Sequence, residues 1–368
     1  RSVNIMSNYI EYNDKIAFHP GYYLKEIVEA SGLTQADFAR RMDTTPKNLS
    51  ILLKGEQAIS LDMAMKLSRM LGTSIEYWLN LQKNYEMLVA EFKLQEELQN
   101  EKEIFKFIDY SYFCKYFGMP ELPRKTELQI EKVRSFLGIA TLKVLQEKNL
   151  SVNFRSYSEK LSLSNIINAN IMVQIAINIA IKTTGPIYNK KKFEQVIQKI
   201  LSFTCQQDNL VELLQKEFLQ AGVIFVALPN LKNSGINGAT KKIGNNVMLM
   251  VNDRRGYADT FWFSLYHEIG HIMNGDYQIT FEEKNEIENN ADSYAENMLV
   301  PETEFKEFIA ENKFDEKSIR IFANKIERDP GIVLGRLQKE KKVAFNNQEL
   351  SRALRRKFVL DIRETEAK

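Results

Sequence analysis

The chain has 368 residues, 44% of them hydrophobic, and its 50 Lys/Arg against 48 Asp/Glu give a net charge of +2. Such a length holds two or three domains with cores of their own, and a charge this near neutrality excludes a polycation that holds nucleic acid by bulk attraction. The two cysteines, Cys114 and Cys205, stand in unrelated apolar segments without C-x-x-C spacing, which excludes a disulfide framework and a thiolate metal site and fits a reducing cytoplasm; no charged-then-apolar leader opens the chain.

The first predicted elements lie between Gly32 and Gly55, where GLTQADFARRMDTTPKNLSILLKG reads as helix, tight turn, helix. Thr34 caps the first helix with Asp37 three residues on, Thr45 caps the second with Pro46 at its first position, and Gly55 stops it. Phe38, Ala39 and Met42 face Leu49, Leu52 and Leu53, so the second helix turns Lys47, Ser50, Ile51 and Lys54 outward below its Thr45 cap. That is the stripe a recognition helix offers to a major groove. Lys47 or Ser50 suits a base edge, Ile51 a thymine methyl, and Gln35 and Lys54 suit phosphates. Residues 1–90 carry ten Lys/Arg and ten Asp/Glu, so attraction to DNA must come from local patches such as Arg40, Arg41, Lys47 and Lys54. The same pattern also suits a plain helical hairpin.

From the FHPG lead-in at Phe18–Gly21 to near Glu86, this stretch resembles the Xre class of helix-turn-helix regulators, and within it the HigA-type antitoxins. The resemblance implies a five-helix, lambda-repressor-like DNA-binding domain over residues 1–90, double-stranded operator DNA as ligand, a homodimer, and a toxin as candidate protein partner. It places His19 in the turn that leads into the first helix and not at a metal.

Residues 91–218 read as a helical linker and middle region. Leu81 to Phe117 is charged and aromatic, but its heptad spacing fades at Gln95 and Lys102, which predicts a packed helix and not a coiled coil. Gly118, Met119, Pro120 and Pro123 mark a boundary. Amphipathic helices follow, broken at Gly138, near Asn149–Asn153 and at Gly185-Pro186. The most apolar run, Ile166 to Ile181, carries Asn170, Gln174 and Asn178 at four-residue intervals; this polar stripe on a buried helix argues against a membrane span.

The segment FWFSLYHEIGH, Phe261 to His271, contains two of the chain's three histidines in H-E-x-x-H spacing. On a helix His267 and His271 lie one turn apart on one face and can aim at one metal, with Glu268 beside them. Phe261, Phe263, Leu265, Ile269 and Ile272 supply apolar surface, and Gly270 lets another element approach. A catalytic zinc site needs a third ligand and an open position. Downstream, in IENNADSYAENMLVP, Glu288 can complete a His, His, Glu set, and Asp292 can accept a hydrogen bond from a ligand imidazole. The pair of motifs resembles the gluzincin pattern and more narrowly the ImmA/IrrE metallopeptidases, over roughly Val223 to Gln338. The helical middle region resembles that found where Xre and ImmA/IrrE domains are fused. The resemblance implies a domain over residues 219–345 with a small sheet and Zn2+ as cofactor, in which zinc acidifies water and polarises the carbonyl while Glu268 carries the proton. No oxyanion partner is identified among Tyr257, Tyr266, Tyr277 and Tyr294.

Beyond the zinc helices, 319–326 and 332–339 form a helical pair that packs against the catalytic unit. Arg336 to Lys368 holds ten Lys/Arg against five Asp/Glu, and residues 346–368 read as a basic tail. The chain as a whole is expected to be mainly α with a small α+β part. It reads as a cytoplasmic DNA-binding regulator carrying a zinc endopeptidase that cleaves a regulatory protein or itself. The alternative is a non-enzymatic HigA-like repressor whose zinc domain is structural or sensing.

Overall fold

A computed structural model describes residues 4–6, 8–12, 15–147, 162–206, 208–276 and 284–360. The expected break at Asn149–Asn153, Tyr277 and residues 361–368 lie outside the described residues. The chain divides into two compact units, Arg1–Asn100 and Glu101–Lys368.

The first unit opens with an antiparallel sheet, β1 (Asn4–Met6), β2 (Tyr9–Tyr12) and β3 (Lys15–Phe18), in that order. Ile10 stands opposite Ala17 and Tyr12 opposite Lys15. Five helices follow, as expected: α1 (Pro20–Ala30), α2 (Gln35–Arg41), α3 (Pro46–Leu53), α4 (Leu61–Leu71) and α5 (Ile75–Phe105). Thr34 Oγ1 accepts from the Asp37 N–H and Thr45 Oγ1 from the Asn48 N–H, both at 3.1 Å, so each cap satisfies a donor the helix start leaves over. Gly55, at φ +74°, ends the recognition helix in a conformation that favours glycine. Leu24, Phe38, Leu49, Leu67 and Trp78 form the core. The compact unit ends near residue 100 and not at 90, because Phe92 of α5 is buried against Tyr12 and Ala17 of the sheet.

The second unit begins with α6 (Tyr110–Phe117), α7 (Thr126–Leu137), a 3-10 turn (Leu142–Gln146), α8 (Leu163–Lys182), α9 (Lys190–Ile200) and α10 (Leu210–Gln220). A mixed sheet follows from β4 (Val223–Leu228), β5 (Gly238–Ile243) and β6 (Asn246–Asn252). Its order is β4-β6-β5, with β4 parallel and β5 antiparallel to β6. The central strand NVMLMVN is buried from Val247 to Asn252, the continuous apolar run of a strand covered on both faces. Helices α11 (Ala258–Asn274), α12 (Lys284–Leu299), α13 (Glu302–Ala310), α14 (Glu316–Lys325), α15 (Pro330–Lys339) and α16 (Gln348–Leu354) complete it.

Helix α8 is long and apolar enough to cross a membrane by length and composition, yet two-thirds of its apolar window, 67%, is buried inside the unit. Its polar stripe has a structural use: Asn170 Nδ2 donates to Leu145 O at 2.9 Å and Asn178 Nδ2 to Leu137 O at 2.9 Å, capping the carbonyl ends of the 3-10 turn and α7.

The basic segment after residue 346 is not a tail up to residue 360. Arg355 Nη2 pairs with buried Asp259 Oδ2 at 2.7 Å, Arg356 donates to Gln206 O and Thr204 O, and the Phe358 ring lies 4.4 Å from that of Phe261. The Ala258 N–H donates to Arg356 O at 2.9 Å, so this segment also occupies a donor at the start of α11. Its charges read as solvated in sequence because their partners lie far away along the chain.

His19, which the sequence placed in the lead-in turn, caps α1: its Nδ1 accepts from the Gly21 N–H at 3.0 Å. Burial holds the ring below its ordinary pKa against the pull of Glu86. The folded state therefore favours the neutral ring, and this stabilisation is present above the unfolded pKa and is lost as pH falls through about 6.5 and below. Urea unfolding of the first unit, followed at successive pH values, is expected to show that slope, and His19→Asn is expected to remove it.

Candidate functional site

Helix α11 is held by the core on one side. Phe261, Trp262, Leu265, Ile269 and Ile272 are all buried in the main cluster, each worth about 1.5–3 kcal/mol relative to exposure. The helix ends at Gly275, whose φ of +80° favours glycine. His267 and His271 thereby face α12. The two helices come close because residue 270 has no side chain: a Cβ there would lie 3.1 Å from Ala291 Cα and 3.3 Å from Ala291 O. Ala291 and Ala295 are fully buried at this contact.

The close approach sets Glu288 and Asp292, one turn apart on α12, against the two imidazoles. His267 Nε2 and His271 Nε2 are 3.1 Å apart. Glu288 Oε2 lies 3.3 Å from His267 Nε2, and Glu288 Oε1 lies 3.6 Å from His271 Nε2. A tetrahedral zinc with bonds of about 2.0–2.1 Å sets neighbouring donors about 3.3 Å apart. The three side chains fit that ion in spacing and in type. Asp292 Oδ1 lies 2.7 Å from His267 Nδ1. A carboxylate only accepts, so a proton on Nδ1 serves this contact, and Nε2 is the ring atom turned toward Glu288 and His271.

Glu268 is 5% exposed and lies beside the donor set on the side of β5. Gly238, the first residue of that strand, sits directly on it: a Cβ there would lie 2.6 Å from Glu268 Cγ and 2.7 Å from Oε1. The sequence reading missed Gly238, although a glycine at a strand start is a signal of close approach. It also missed Lys339 of α15, whose Nζ is 3.7 Å from Asp292 Oδ2 and pairs with Glu296. Asp276, just past the helix end, places Oδ2 3.9 Å from His271 Nδ1, and burial raises its pKa.

The described tyrosines do not converge on the centre. Tyr266 donates to Ile197 O at 2.9 Å within the core, and burial raises its pKa well above the ordinary value. Tyr294 packs against Gly270, its pKa pushed up to about 12 by burial and then by Glu194. Tyr257 lies before α11, under Lys357 and Arg355, and Lys357 lowers its pKa.

In the first unit, Gln35, Lys47 and Lys54 are exposed, and Ser50 and Ile51 are half-buried. Gln35, Ser50 and Lys54 meet at one concavity of about 250 Å³, with Lys25 and Glu29 at its rim. Thr45 is exposed, but its oxygen already accepts from the Asn48 N–H. Lys47 and Lys54 form no ion pair among the described residues, which leaves both charges to solvent or a ligand. Arg40 is paired with Asp37 at 2.5 Å, so that part of the expected patch is partly neutralised.

Residues 24–78 match the family model described as Helix-turn-helix. Residues 224–328 match a peptidase family model described as IrrE N-terminal-like domain. The chain is similar to an uncharacterized HTH-type transcriptional regulator, YddM, of Escherichia coli, 38% identical over 79 residues that make up 21% of this chain and 84% of the relative. It is also similar to virulence-associated protein I of Dichelobacter nodosus, 30% identical over 80 residues, 22% of this chain and 74% of the relative. Among solved structures it is similar to an addiction module antidote protein of a HigA family from Coxiella burnetii, at 28% identity and a TM-score of 0.22, covering 23% of this chain and 94% of that one.

If Asp292 orients His267, Asp292→Ala should weaken zinc binding by about 10–100-fold. Chelator competition reads this directly, and an unchanged affinity would remove Asp292 from the site.

Proposed function

The chain belongs to the helix-turn-helix family of transcription regulators and carries an IrrE N-terminal-like peptidase domain, and from that premise we propose that it binds operator DNA as a homodimer in the cytoplasm and cleaves a regulatory protein, or its own chain, by zinc-dependent hydrolysis. The observation that supports the hydrolytic half is the donor set: three side chains, His267, His271 and Glu288, with ligand atoms within 4.8 Å of one another and Glu268 beside them. Zinc bound there supplies a Lewis acid for a peptide carbonyl and lowers the pKa of water.

The chain's own residues do the rest. Asp292 Oδ1, 2.7 Å from His267 Nδ1, would accept that nitrogen's proton and so leave Nε2 to hold a metal. Glu268 lies outside the donor set and carries protons: a carboxylate oxygen takes one from the attacking water and returns it to the nitrogen of the leaving amine. Gly238 and α11 hold that carboxylate from two sides, so little reorganisation is needed during the transfer.

The DNA half is supported by the exposed Lys47 and Lys54, with the half-buried Ser50 and Ile51 between them, beneath a capped helix start. Lys47 and Ser50 are assigned to base edges, Ile51 to a thymine methyl, and Gln35, Thr45 and Lys54 to the flanking backbone.

Zinc-loaded wild type incubated with the protein encoded beside its gene, and with itself, is expected to give one cleavage product by intact-mass spectrometry. Glu268→Gln is expected to bind zinc as well and to give none. Equal function of Glu268→Gln in every assay would return the domain to a structural or sensing role. For DNA, Lys54→Ala is expected to weaken binding to the chain's own promoter across sequences and to reduce the salt slope by about 1. Lys47→Ala is expected to cost about 1–3 kcal/mol and to relax preference at one base position; binding unchanged in both variants would exclude this helix face.

A further inference from the structure

Helix α5 carries apolar side chains on two opposite faces. Trp78, Leu81, Tyr85, Leu88, Val89 and Phe92 are packed into the cores of the first unit, and at the α-helical turn they fall within an arc of about 100°. An amphipathic surface helix needs one such face. Met87 and Leu94 lie on the other side, about 170° around the helix from that arc, and are 60% and 63% exposed. A single exposed apolar residue is ordinary, but these two stand two turns apart on one line with the exposed Ala90 between them.

The bare face is symmetric about Ala90. Met87 stands three residues before it and Leu94 four after, and Lys83 stands seven before and Glu97 seven after. All five fall within an arc of about 80°. Lys83 and Glu97 form no ion pair among the described residues. In an isologous pair, residue i of one copy meets residue j of the other, and j meets i. Two copies of α5 running antiparallel, with the two-fold axis beside Ala90, therefore set Met87 of each copy on Leu94 of the other and Lys83 of each beside Glu97 of the other. One centre satisfies both the apolar and the charged pairing. A parallel pair would instead bring Lys83 to Lys83 and Glu97 to Glu97, which is repulsive. At the centre Ala90 presents only a methyl group, so the axes can approach to the about 8 Å of closely packed helices.

We infer that this face of α5 is the surface on which a second copy of the chain docks, antiparallel and centred on Ala90. The inference rests on the proposed homodimer and names its interface. The strip from Lys83 to Glu97 is about 21 Å long, short of what buries the about 800 Å² per partner of a standard interface. The pair therefore exchanges with monomer, and operator DNA that holds two copies side by side drives it together. The fading of the heptad spacing at Gln95 and Lys102 agrees with a contact of about four turns and no long coiled coil.

Sedimentation velocity of the full chain over a concentration series, alone and with its own promoter DNA, tests this. Wild type is expected to pass from monomer to dimer as concentration rises. Leu94→Asp is expected to weaken the dimer about a hundredfold, with the urea midpoint of the first unit unchanged because residue 94 is exposed. Lys83→Glu alone and Glu97→Lys alone are each expected to weaken it about tenfold, and the two together to restore it to within about threefold of wild type. The centre is read separately by oxidation in a Cys114→Ser, Cys205→Ser background: Ala90→Cys is expected to give a disulfide-linked dimer, and Lys93→Cys, on another side of the helix, to give none. A dimer indifferent to Leu94→Asp and to both charge reversals, or linked equally well through Lys93→Cys, overturns the interface and leaves the homodimer standing. Failure of the double charge reversal to restore association overturns the antiparallel arrangement. A chain that stays monomeric both alone and on its promoter removes the homodimer and the interface with it. A monomer whose Leu94-dependent partner is the protein encoded beside its gene also overturns the inference and gives this face to that protein.

Discussion

The contact between α11 and α12 at Gly270 and Ala291 is the constraint on which the second unit depends. A backbone that can come within about one atom of its neighbour brings side chains from both helices to one point, and any Cβ at residue 270 would press on Ala291 Cα. The apolar side of α11 is fixed by Trp262, Leu265 and Ile269 in the core. With that side committed, the face bearing His267 and His271 meets α12. Small residues at the crossing and donors on either flank are therefore parts of one arrangement.

Drawing so many acceptors and imidazoles into a buried place is unfavourable unless each charge has an answer. Part of the answer is supplied by α15. Lys339 reaches Asp292 and Glu296, and Arg336 ties Glu296 of α12 to Glu302 of α13. These pairs lock the position of the helix that carries Glu288 and Asp292, so their orienting effect exceeds what a solvent-exposed pair would give. On the other side, Arg355 pairs with Asp259 near the start of α11 and offsets part of the burial that raises its carboxyl pKa. The C-terminal segment belongs to the support of the site.

The first unit solves a different problem, presenting a rigid polar face on a small domain. Its helices begin on side-chain caps at His19, Thr34, Thr45 and Ser60, each accepting from a backbone N–H within the first turn. Gly21 lets α1 approach α3, with Leu52 O lying 2.0 Å from where a Cβ would stand. Caps and close packing fix the orientation of α3, and the side chains facing outward inherit that order.

Much of this was legible in the sequence because it is local. Helical spacing decides which residues share a face, so the pairing of His267 with His271 and of Glu288 with Asp292 follows from intervals of four. The caps at Thr34 and Thr45 follow from residue type and position, as does the inward set of Phe38, Leu49 and Leu52. Other features depend on contacts between segments far apart along the chain, and no periodicity records these. The β1–β3 sheet exists through pairing with its own neighbours and burial against Phe92. Gly238 matters only because β5 lies on Glu268, and Lys339 only because α15 lies along α12. The basic run after residue 346 looks like a tail until Asp259, Thr204 and Gln206 are found opposite its arginines. The sequence by itself determined the chemical groups and their order on each helix. The tertiary structure decided which faces meet, because that choice is made by burial of complementary surfaces and by the pairing of buried charge, both properties of elements together and of none alone.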